Sequence, residues 1–339
     1  MDGDLIVRRP QGLYCPAGDF FIDPWRRVDR AVITHAHADH ARSGHRHYLA
    51  ADVGAGLLRA RVGQGISLQA LAYGETVNHN GVQISLHPAG HVLGSAQVRV
   101  AHEGRVWVAS GDYRTTPDGA VPDRTCAPFE PVRCDVFITE STFGLPIYHW
   151  RSDAELFGEI NAWWATNAAA GRTSVMHCYS LGKAQRLLAG VDASIGPLVC
   201  HHTVEPINAA YRAAGVPLPA TCLPGALSDA ADWGRALLLC PPSALQSPEL
   251  AGVRHASTAF ASGWMQTRAM RRRGNLDRGF VLSDHADWPG LLAAIAASGA
   301  ERIIVTHGSE QVLVRHLREL GLRADQFDTA YGDAGEAPE

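Results

Sequence analysis

The segment Thr34-His-Ala-His-Ala-Asp-His40 is the main determinant of the fold assignment, because it holds four side chains of metal-ligand type: His35, His37, Asp39 and His40. Imidazole and carboxylate are the ligands that zinc and similar divalent metals choose. The segment Arg30-Ala-Val-Ile-Thr34, which is apolar at its centre, predicts a buried strand that delivers these ligands at its carboxyl end. An extended segment points the first two histidines to one side, and a helical turn swings the last two ligands to the other. The segment therefore predicts two metals, against the alternative of exposed loop histidines.

The composition is typical of a folded globular chain. The 339 residues are 46% hydrophobic and 19% charged, which allows one large or two moderate domains. No apolar run reaches the roughly 18 residues of a membrane span. The segment Met1-Asp-Gly-Asp4 lacks the basic and apolar regions of a signal peptide. We therefore expect a cytoplasmic protein that does not interact with a membrane.

Charge and cysteine content exclude some classes of protein. The net charge of −4 does not indicate a nucleic-acid binder. A local basic cluster is formed by Arg268, Arg271, Arg272 and Arg273. The preferred interpretation of this cluster is a solvated helix face. The seven cysteines are never in CxxC spacing. They predict neither a disulfide framework nor a thiolate zinc site, and we expect them to be small buried hydrophobic residues.

From residue 20 to about residue 145, the chain alternates short strand-like runs with glycine-rich turns. The runs are residues 20–23, 31–34, 82–87, 96–100, 105–110 and 135–139. Polar residues of ligand type stand at or just beyond the ends of several runs: Asp23, His35, His91, Asp112 and Glu140. Layered α/β structures place their active sites at such strand ends.

The rest of the chain looks like α/β material. Helical patterns at 153–170 and 182–193 alternate with strand-like runs at 173–177 and 196–200. Two further strands, 279–283 and 302–306, enclose a helix at 288–297. The last strand runs into His307.

Two metals need about six or seven donors, which is more than one short motif supplies. His91, Asp112 and His307 are the candidates for the remainder. Each alone is more often a capped loop residue than a ligand. Their shared position after a strand favours the ligand interpretation.

These strings, in their order, resemble the metallo-β-lactamase fold. Four more strings resemble its β-CASP branch, whose members hydrolyse nucleic-acid phosphodiesters: Glu140-Ser-Thr-Phe-Gly144, Tyr179-Ser-Leu-Gly-Lys-Ala-Gln185, Ala261-Ser-Gly-Trp-Met265 and Ser283-Asp-His-Ala-Asp287. Within that branch, the chain looks most like the bacterial ligase-associated DNA exonucleases. The resemblance implies an αββα sandwich formed by residues 1–147 plus 278–339, with an inserted α/β β-CASP domain at 148–277.

The resemblance also implies roles for individual residues. His35, His37 and His91 would hold one metal, Asp39, His40 and His307 the other, and Asp112 would bridge them. Asp23 would orient a histidine through its second ring nitrogen. A hydroxide between the metals would attack phosphorus, since metal binding lowers the pKa of water to about 7. His285, oriented or kept charged by Glu140, would protonate the leaving oxygen. The alternative for His285 is a metal ligand or a structural residue.

The leading hypothesis is a DNA exonuclease that acts in repair with two divalent metals, zinc or, as an activator, manganese. Its partners would be DNA, in preference to RNA, and a ligase and helicase of the same gene cluster. A β-CASP ribonuclease is the nearest competing hypothesis, because it would share every catalytic residue. Two further classes stay open at this point: a small-molecule metallo-hydrolase such as a thioesterase or lactonase, and a non-catalytic binding subunit.

Overall fold

The structure is a computed structural model that describes residues 3–116, 123–247, 250, 253, 255–267, 276–327 and 329. The basic cluster formed by Arg268, Arg271, Arg272 and Arg273 lies outside the described residues. Cα packing divides the chain into two compact units. The first contains Met1–His149 and His285–Ala337, and the second contains Trp150–Asp284.

The strands of the first unit are β1 (Val7–Arg9), β2 (Gly12–Cys15), β3 (Phe20–Ile22), β4 (Arg30–Val32), β5 (His47–Ala51), β6 (Leu68–Leu71), β7 (Thr76–His79), β8 (Val82–Pro88), β9 (Ala96–His102), β10 (Arg105–Ala109), β11 (Val136–Ser141), β17 (Arg302–Gly308) and β18 (Arg323–Gln326). Those of the second unit are β12 (Thr173–His177), β13 (Leu198–Cys200), β14 (Leu237–Cys240), β15 (Ala256–Ala261) and β16 (Arg278–Phe280). The α-helices are α1 (Ala55–Val62), α2 (Asp153–Ala169), α3 (Lys183–Gly190), α4 (Glu205–Ala213), α5 (Ala230–Arg235), α6 (Trp288–Ser298) and α7 (Glu310–Glu319).

Two sheets form the first unit. Sheet A has the order β1-β2-β3-β4-β5-β6, and sheet B has the order β18-β17-β11-β10-β9-β8-β7. Strands β3 to β6 of sheet A are parallel, as are β10, β11, β17 and β18 of sheet B. The parallel strands of each sheet therefore end at a common edge, which is where side chains can be brought together for chemistry.

The two sheets share one hydrophobic core. Buried residues of sheet A such as Leu13 and Ile22 belong to the same cluster as Ile84, Val98 and Ile304 of sheet B. A second cluster packs strand residues of sheet B against Ile295 of α6 and Leu313 of α7. Sheet B is thus covered by sheet A on one face and by helices on the other, which is the layered arrangement that buries both faces of a sheet.

The second unit is built on sheet C, whose strands are all parallel in the order β13-β14-β12-β15-β16. Its core includes Trp164 of α2 and Leu239 of β14. Ser152 and Glu155 cap α2 reciprocally, so the helix begins where the sequence pattern predicts. Lys183, the only lysine of the chain, is buried with its Nζ 2.6 Å from Asp284 Oδ1.

The sequence-based expectation of an α/β protein is confirmed. The predicted strands and helices are present, with ends that differ by a few residues. One end matters for the site: β11 continues to Ser141, so Glu140 lies inside a strand and not just beyond it. The cysteines are all free, but Cys126 and Cys222 are only partly buried, which corrects the expectation that all would be buried. Among the described residues, no helix combines the length and apolarity needed to cross a membrane.

Candidate metal centre

The sheet topology explains how residues distant in sequence come together. Strands β10, β11 and β17 are neighbours and run parallel, so Asp112, Glu140 and His307 emerge at the same edge of sheet B. Strand β8 runs in the same direction as β10, because both are antiparallel to β9. His91 therefore follows β8 at this edge too. The segment that carries His35 follows β4 of sheet A.

One group of donors consists of His35, His37, His91 and Asp112, whose ligand atoms all lie within 4.8 Å of one another. His37 Nδ1 is 3.1 Å from His35 Nε2 and 3.0 Å from His91 Nε2. Asp112 Oδ2 is 3.5 Å from His35 Nε2 and 3.8 Å from His91 Nε2. All except His37 are buried. Three ring nitrogens and one carboxylate oxygen thus face a common point.

A second group consists of Asp39, His40 and His307, again with ligand atoms within 4.8 Å of one another. His40 Nε2 is 3.6 Å from Asp39 Oδ2 and 3.4 Å from Asp112 Oδ2. Asp112 therefore lies beside ligands of both groups. The structure brings together all seven residues that the resemblance selected as ligands.

Hydrogen bonds to Nδ1 of His35 and His40 determine which ring nitrogen carries hydrogen in the neutral ring. His40 Nδ1 lies 2.7 Å from Asp23 Oδ2, and a carboxylate can only accept, so this nitrogen carries the proton and the neutral ring presents the lone pair of Nε2. His35 Nδ1 lies 3.0 Å from Thr34 Oγ1, which itself donates to Asp23 at 2.5 Å. Since the hydroxyl has one hydrogen, it accepts from His35. In its neutral form, each ring therefore presents a lone pair at Nε2.

Burial and neighbouring charges shift the pKa values of Asp112, His35 and His40 in different directions. Burial disfavours the ionised form of Asp112, but His40 and His35 outweigh this effect and hold the pKa of the carboxyl well below its usual value. Burial and the neighbouring His40 lower the pKa of His35. For His40, burial opposes protonation, but the carboxylates of Asp112 and Asp39 outweigh it and raise its pKa well above the usual value. The surroundings thus favour the ionised form of the Asp112 carboxyl and, in the metal-free protein, the charged form of His40.

The donor set fits a divalent cation. Two nitrogens that each lie about 2.0–2.1 Å from a zinc ion are roughly 2.8 to 3.4 Å apart for ligand angles between 90° and the tetrahedral angle. The two N···N separations at His37 match this range. Lone pairs that face one another at such distances repel unless a proton or a cation lies among them. Nitrogen and carboxylate donors in this number are suitable for zinc or manganese.

Glu140 and His285 form a pair beside these ligands. His285 Nδ1 is 2.9 Å from Glu140 Oε2 and 3.0 Å from Oε1. The Glu140 carboxylate also accepts from Tyr113 N at 2.7 Å and from Thr142 Oγ1 at 2.5 Å. The His285 ring lies 4.6 Å from the His91 ring, measured between centroids. The carboxylate therefore fixes the orientation of His285 next to the residues that could hold a metal ion.

The backbone adopts unusual conformations at this edge. Asp23 and His307 have positive φ values of 42° and 58°. Such values cost non-glycine residues of the order of 1–3 kcal/mol. Asp19, Asn80 and Glu103 also adopt them, in turns between consecutive strands. Gly111, at φ 57°, approaches Thr34 so closely that an added Cβ would lie 2.6 Å from the Thr34 Cβ. Only glycine fits at the position before Asp112.

Sequence reasoning did not single out Thr34, Thr142 or Tyr113, which hold the carboxylates of Asp23 and Glu140. Two of them could have been noticed. Thr34 directly precedes His35, and Thr142 follows Glu140 by two residues, so hydroxyl groups adjoin both motifs. The contribution of Tyr113 is a backbone N–H, which no residue type reveals.

Known proteins share sequence with this chain over different lengths. A protein named probable DNA ligase from Opitutus terrae is 30% identical over 320 residues, which are 94% of this chain and 30% of that protein. The cleavage and polyadenylation specificity factor subunit 3 of Dictyostelium discoideum is 28% identical over 127 residues, and endoribonuclease ysh1 of Schizosaccharomyces pombe is 33% identical over 125 residues. Each of these two matches covers 37% of this chain and 16% of the relative. The chain thus spans less than a third of the length of these relatives.

Among solved structures, a protein of unknown function from Enterococcus faecalis V583 aligns with a TM-score of 0.57 at 11% sequence identity. The alignment covers 87% of this chain and 78% of that one. At this identity the likeness shows a common fold alone. No family model matches the chain.

We predict that metal binding releases protons and strengthens as pH rises from about 6 to 8. The raised pKa of His40 means that the metal-free ring is protonated, and a cation must displace that proton. Isothermal titration calorimetry measures the number of protons released. Zinc is titrated into protein from which a chelator has removed the metal, in two buffers of different ionisation enthalpy. The control is His149→Ala, which removes an exposed histidine outside both ligand groups and should leave that number unchanged. Affinity independent of pH over this range would contradict the prediction.

Proposed function

We propose that this protein is a dinuclear-metal phosphodiesterase of the β-CASP branch of the metallo-β-lactamase fold, and specifically a DNA exonuclease that acts in repair. The observation that carries the proposal is the convergence of seven metal-ligand side chains next to the His285–Glu140 pair. Similarity to two proteins named as nucleic-acid-processing enzymes, the endoribonuclease and the probable DNA ligase, supports it. The first unit would be the sandwich and the second the inserted β-CASP domain.

In this proposal, His35, His37, His91 and Asp112 would hold one cation, and Asp39, His40 and His307 would hold the other, with Asp112 close to both groups. Bound divalent cations supply a water with a pKa near 7 and balance the charge that develops on the phosphate oxygens. The buried ligands contribute by presenting lone pairs at fixed positions, since Asp23 and Thr34 determine which ring nitrogens are protonated. No reorganisation of these rings is then needed when substrate binds.

His285 would be the general acid. Its Nδ1 faces the Glu140 carboxylate, so the proton available for transfer is the one on Nε2, at the opposite side of the ring. The protonated ring would donate this proton to the leaving oxygen of the phosphodiester, while Glu140 stabilises the positive charge beforehand. A general acid of this kind contributes about 10²–10⁴-fold to the rate.

DNA is the proposed substrate because of the extent of the sequence matches. The relative whose name refers to DNA aligns with 94% of this chain, whereas each relative named for RNA processing aligns with 37%. The same match supports a functional association with a DNA ligase, and we extend this to a helicase of the same gene cluster. An RNA-processing enzyme is the second candidate, and the similarity to endoribonuclease ysh1 favours it. A second unit with its own core favours either of them over a small-molecule hydrolase, which needs no extra domain.

Single-stranded DNA and RNA of matched sequence, labelled at either end, test the choice of substrate. We expect the purified protein, loaded with manganese or zinc, to shorten DNA progressively from an end and to cleave RNA at least 10-fold more slowly. The Asp112→Asn variant serves as the control for contaminating nucleases, because it removes the shared ligand. Preferential cleavage of RNA, or products from internal cuts alone, would overturn the choice of a DNA exonuclease.

The acid role of His285 predicts a dependence on the leaving group. His285→Ala should lower kcat on DNA by about 10²–10⁴-fold while bound metal stays unchanged. The loss should be far smaller on a phosphodiester with a p-nitrophenyl leaving group, because that phenolate needs no proton. Activity on both substrates and metal content by elemental analysis are the measurements. Loss of metal together with activity would instead identify His285 as a metal ligand.

A further inference from the structure

Two buried threonines stand in the same relation to two different histidines of the site. Thr34 Oγ1 donates to Asp23 Oδ2 at 2.5 Å, and that carboxylate oxygen also accepts from His40 Nδ1 at 2.7 Å. The other Asp23 oxygen accepts from the backbone N of Thr34 at 2.7 Å. One threonine thus contacts both oxygens of the carboxylate that orients His40.

The second threonine is Thr142. Its Oγ1 donates to Glu140 Oε2 at 2.5 Å, and that oxygen lies 2.9 Å from His285 Nδ1. The Tyr113 N–H donates to the other oxygen at 2.7 Å. Thr142, Glu140 and Asp23 are each 2% exposed, so solvent does not replace a lost donor easily. A buried carboxylate that loses a donor is destabilised and turns toward other partners.

We propose that Thr34 and Thr142 are positioning residues, whose hydroxyl groups fix the Asp23 and Glu140 carboxylates that orient His40 and His285. The proposal rests on the proposed function only where it concerns turnover. The metal-binding part stands on the geometry of the ligands. Both threonines act through a carboxylate, and neither is placed against a reacting atom.

Thr34 has one additional effect. Its hydroxyl hydrogen is directed to Asp23, so its lone pair accepts the Nδ1 hydrogen of His35. Valine at this position has the same shape but no acceptor. The His35 ring could then carry its hydrogen on Nε2, the atom that lies 3.5 Å from Asp112, and a protonated Nε2 cannot bind a cation. The loss of one hydroxyl therefore affects two ligands, His35 and His40.

Thr142 acts on a different histidine. Its hydroxyl contacts Glu140, whose partner is His285, and His285 is the proposed acid. The effects of removing the two hydroxyl groups should therefore differ. Removing the Thr34 hydroxyl should weaken metal binding, and removing the Thr142 hydroxyl should slow turnover at full metal occupancy.

The experiment compares valine and serine at each position in the whole chain. We expect Thr34→Val to weaken zinc binding about 10–100-fold, the range observed when groups behind metal ligands are removed, and Thr34→Ser to restore it. We expect Thr142→Val to bind zinc with unchanged affinity but to lower kcat on DNA about 10-fold with little change in KM, and Thr142→Ser to restore kcat. Thr34→Ala also removes the hydroxyl group and replaces Thr34→Val in the experiment if the valine variant does not fold.

The matched control is Thr173→Val. Thr173 is buried in the second unit, and its hydroxyl donates to the Trp233 carbonyl at 2.8 Å. It should lower thermal stability without changing metal affinity or kcat. Three results would each overturn the proposal. The first is an unchanged zinc affinity in Thr34→Val. The second is a change in zinc affinity or kcat no larger than that of Thr173→Val, and the third is failure of the serine variants to restore zinc affinity or kcat.

If the purified protein has no nuclease activity, the proposed function is contradicted. The role of Thr34 is still tested by metal titration. The role of Thr142 is then read from ¹⁵N NMR of the imidazole nitrogens, which reports the hydrogen bond at His285 Nδ1 without turnover. Loss of that signature in Thr142→Val supports the positioning role, and its persistence contradicts it.

Discussion

A buried carboxylate, that of Asp112, governs the electrostatics of the site. It is 4% exposed, and its Oδ2 lies 3.4 to 3.8 Å from ring nitrogens of His35, His40 and His91. An isolated carboxylate in this position would be strongly destabilised, so it must be matched by positive charge. In the metal-free protein His40 supplies that charge, and the raised pKa of His40 and the lowered pKa of Asp112 are two consequences of one contact. Cations in the two ligand groups would supply it instead.

The fold delivers the partners of this carboxylate by strand direction. Asp112 and Glu140 come from adjacent parallel strands, and His307 lies on the next one. The segment at residues 34–40 follows β4 of the other sheet, which packs on the same core. Because both sheets share that core, the strand ends of one are fixed relative to the loops of the other. Gly111 allows the turn before Asp112 to approach Thr34 closely.

Much of this arrangement could be predicted from the sequence. The strand and helix patterns predict the α/β class, and the position of ligand-type residues after strands selects the residues that the structure brings together. The pairing order of the strands could not be predicted, because neighbouring strands such as β11 and β17 are about 160 residues apart and periodicity says nothing about their partners. The threonine hydroxyls adjoin the motifs in sequence, but the sequence does not show which carboxylate each one contacts, and the Tyr113 donor is a backbone N–H that no residue type reveals. Their importance depends on which carboxylate they meet.

The proposed metal ligands and the proposed general acid do not distinguish DNA from RNA. In the proposed mechanism, neither the seven ligands nor the His285–Glu140 pair reads the sugar, and recognition of a 2′-hydroxyl requires other contacts. The preference for DNA therefore rests on the length of the match to the probable DNA ligase. The chemistry of the metal centre and the identity of the nucleic acid are separate questions with separate tests.

All of the proposed chemistry requires that seven side chains form a site for two metal ions. X-ray diffraction from crystals of the metal-loaded protein, recorded at the absorption edge of the bound metal, locates those ions without reference to activity. We predict two anomalous peaks, one among His35, His37, His91 and Asp112, and one among Asp39, His40 and His307. A single peak, or peaks elsewhere with these side chains unliganded, would contradict the two-metal site.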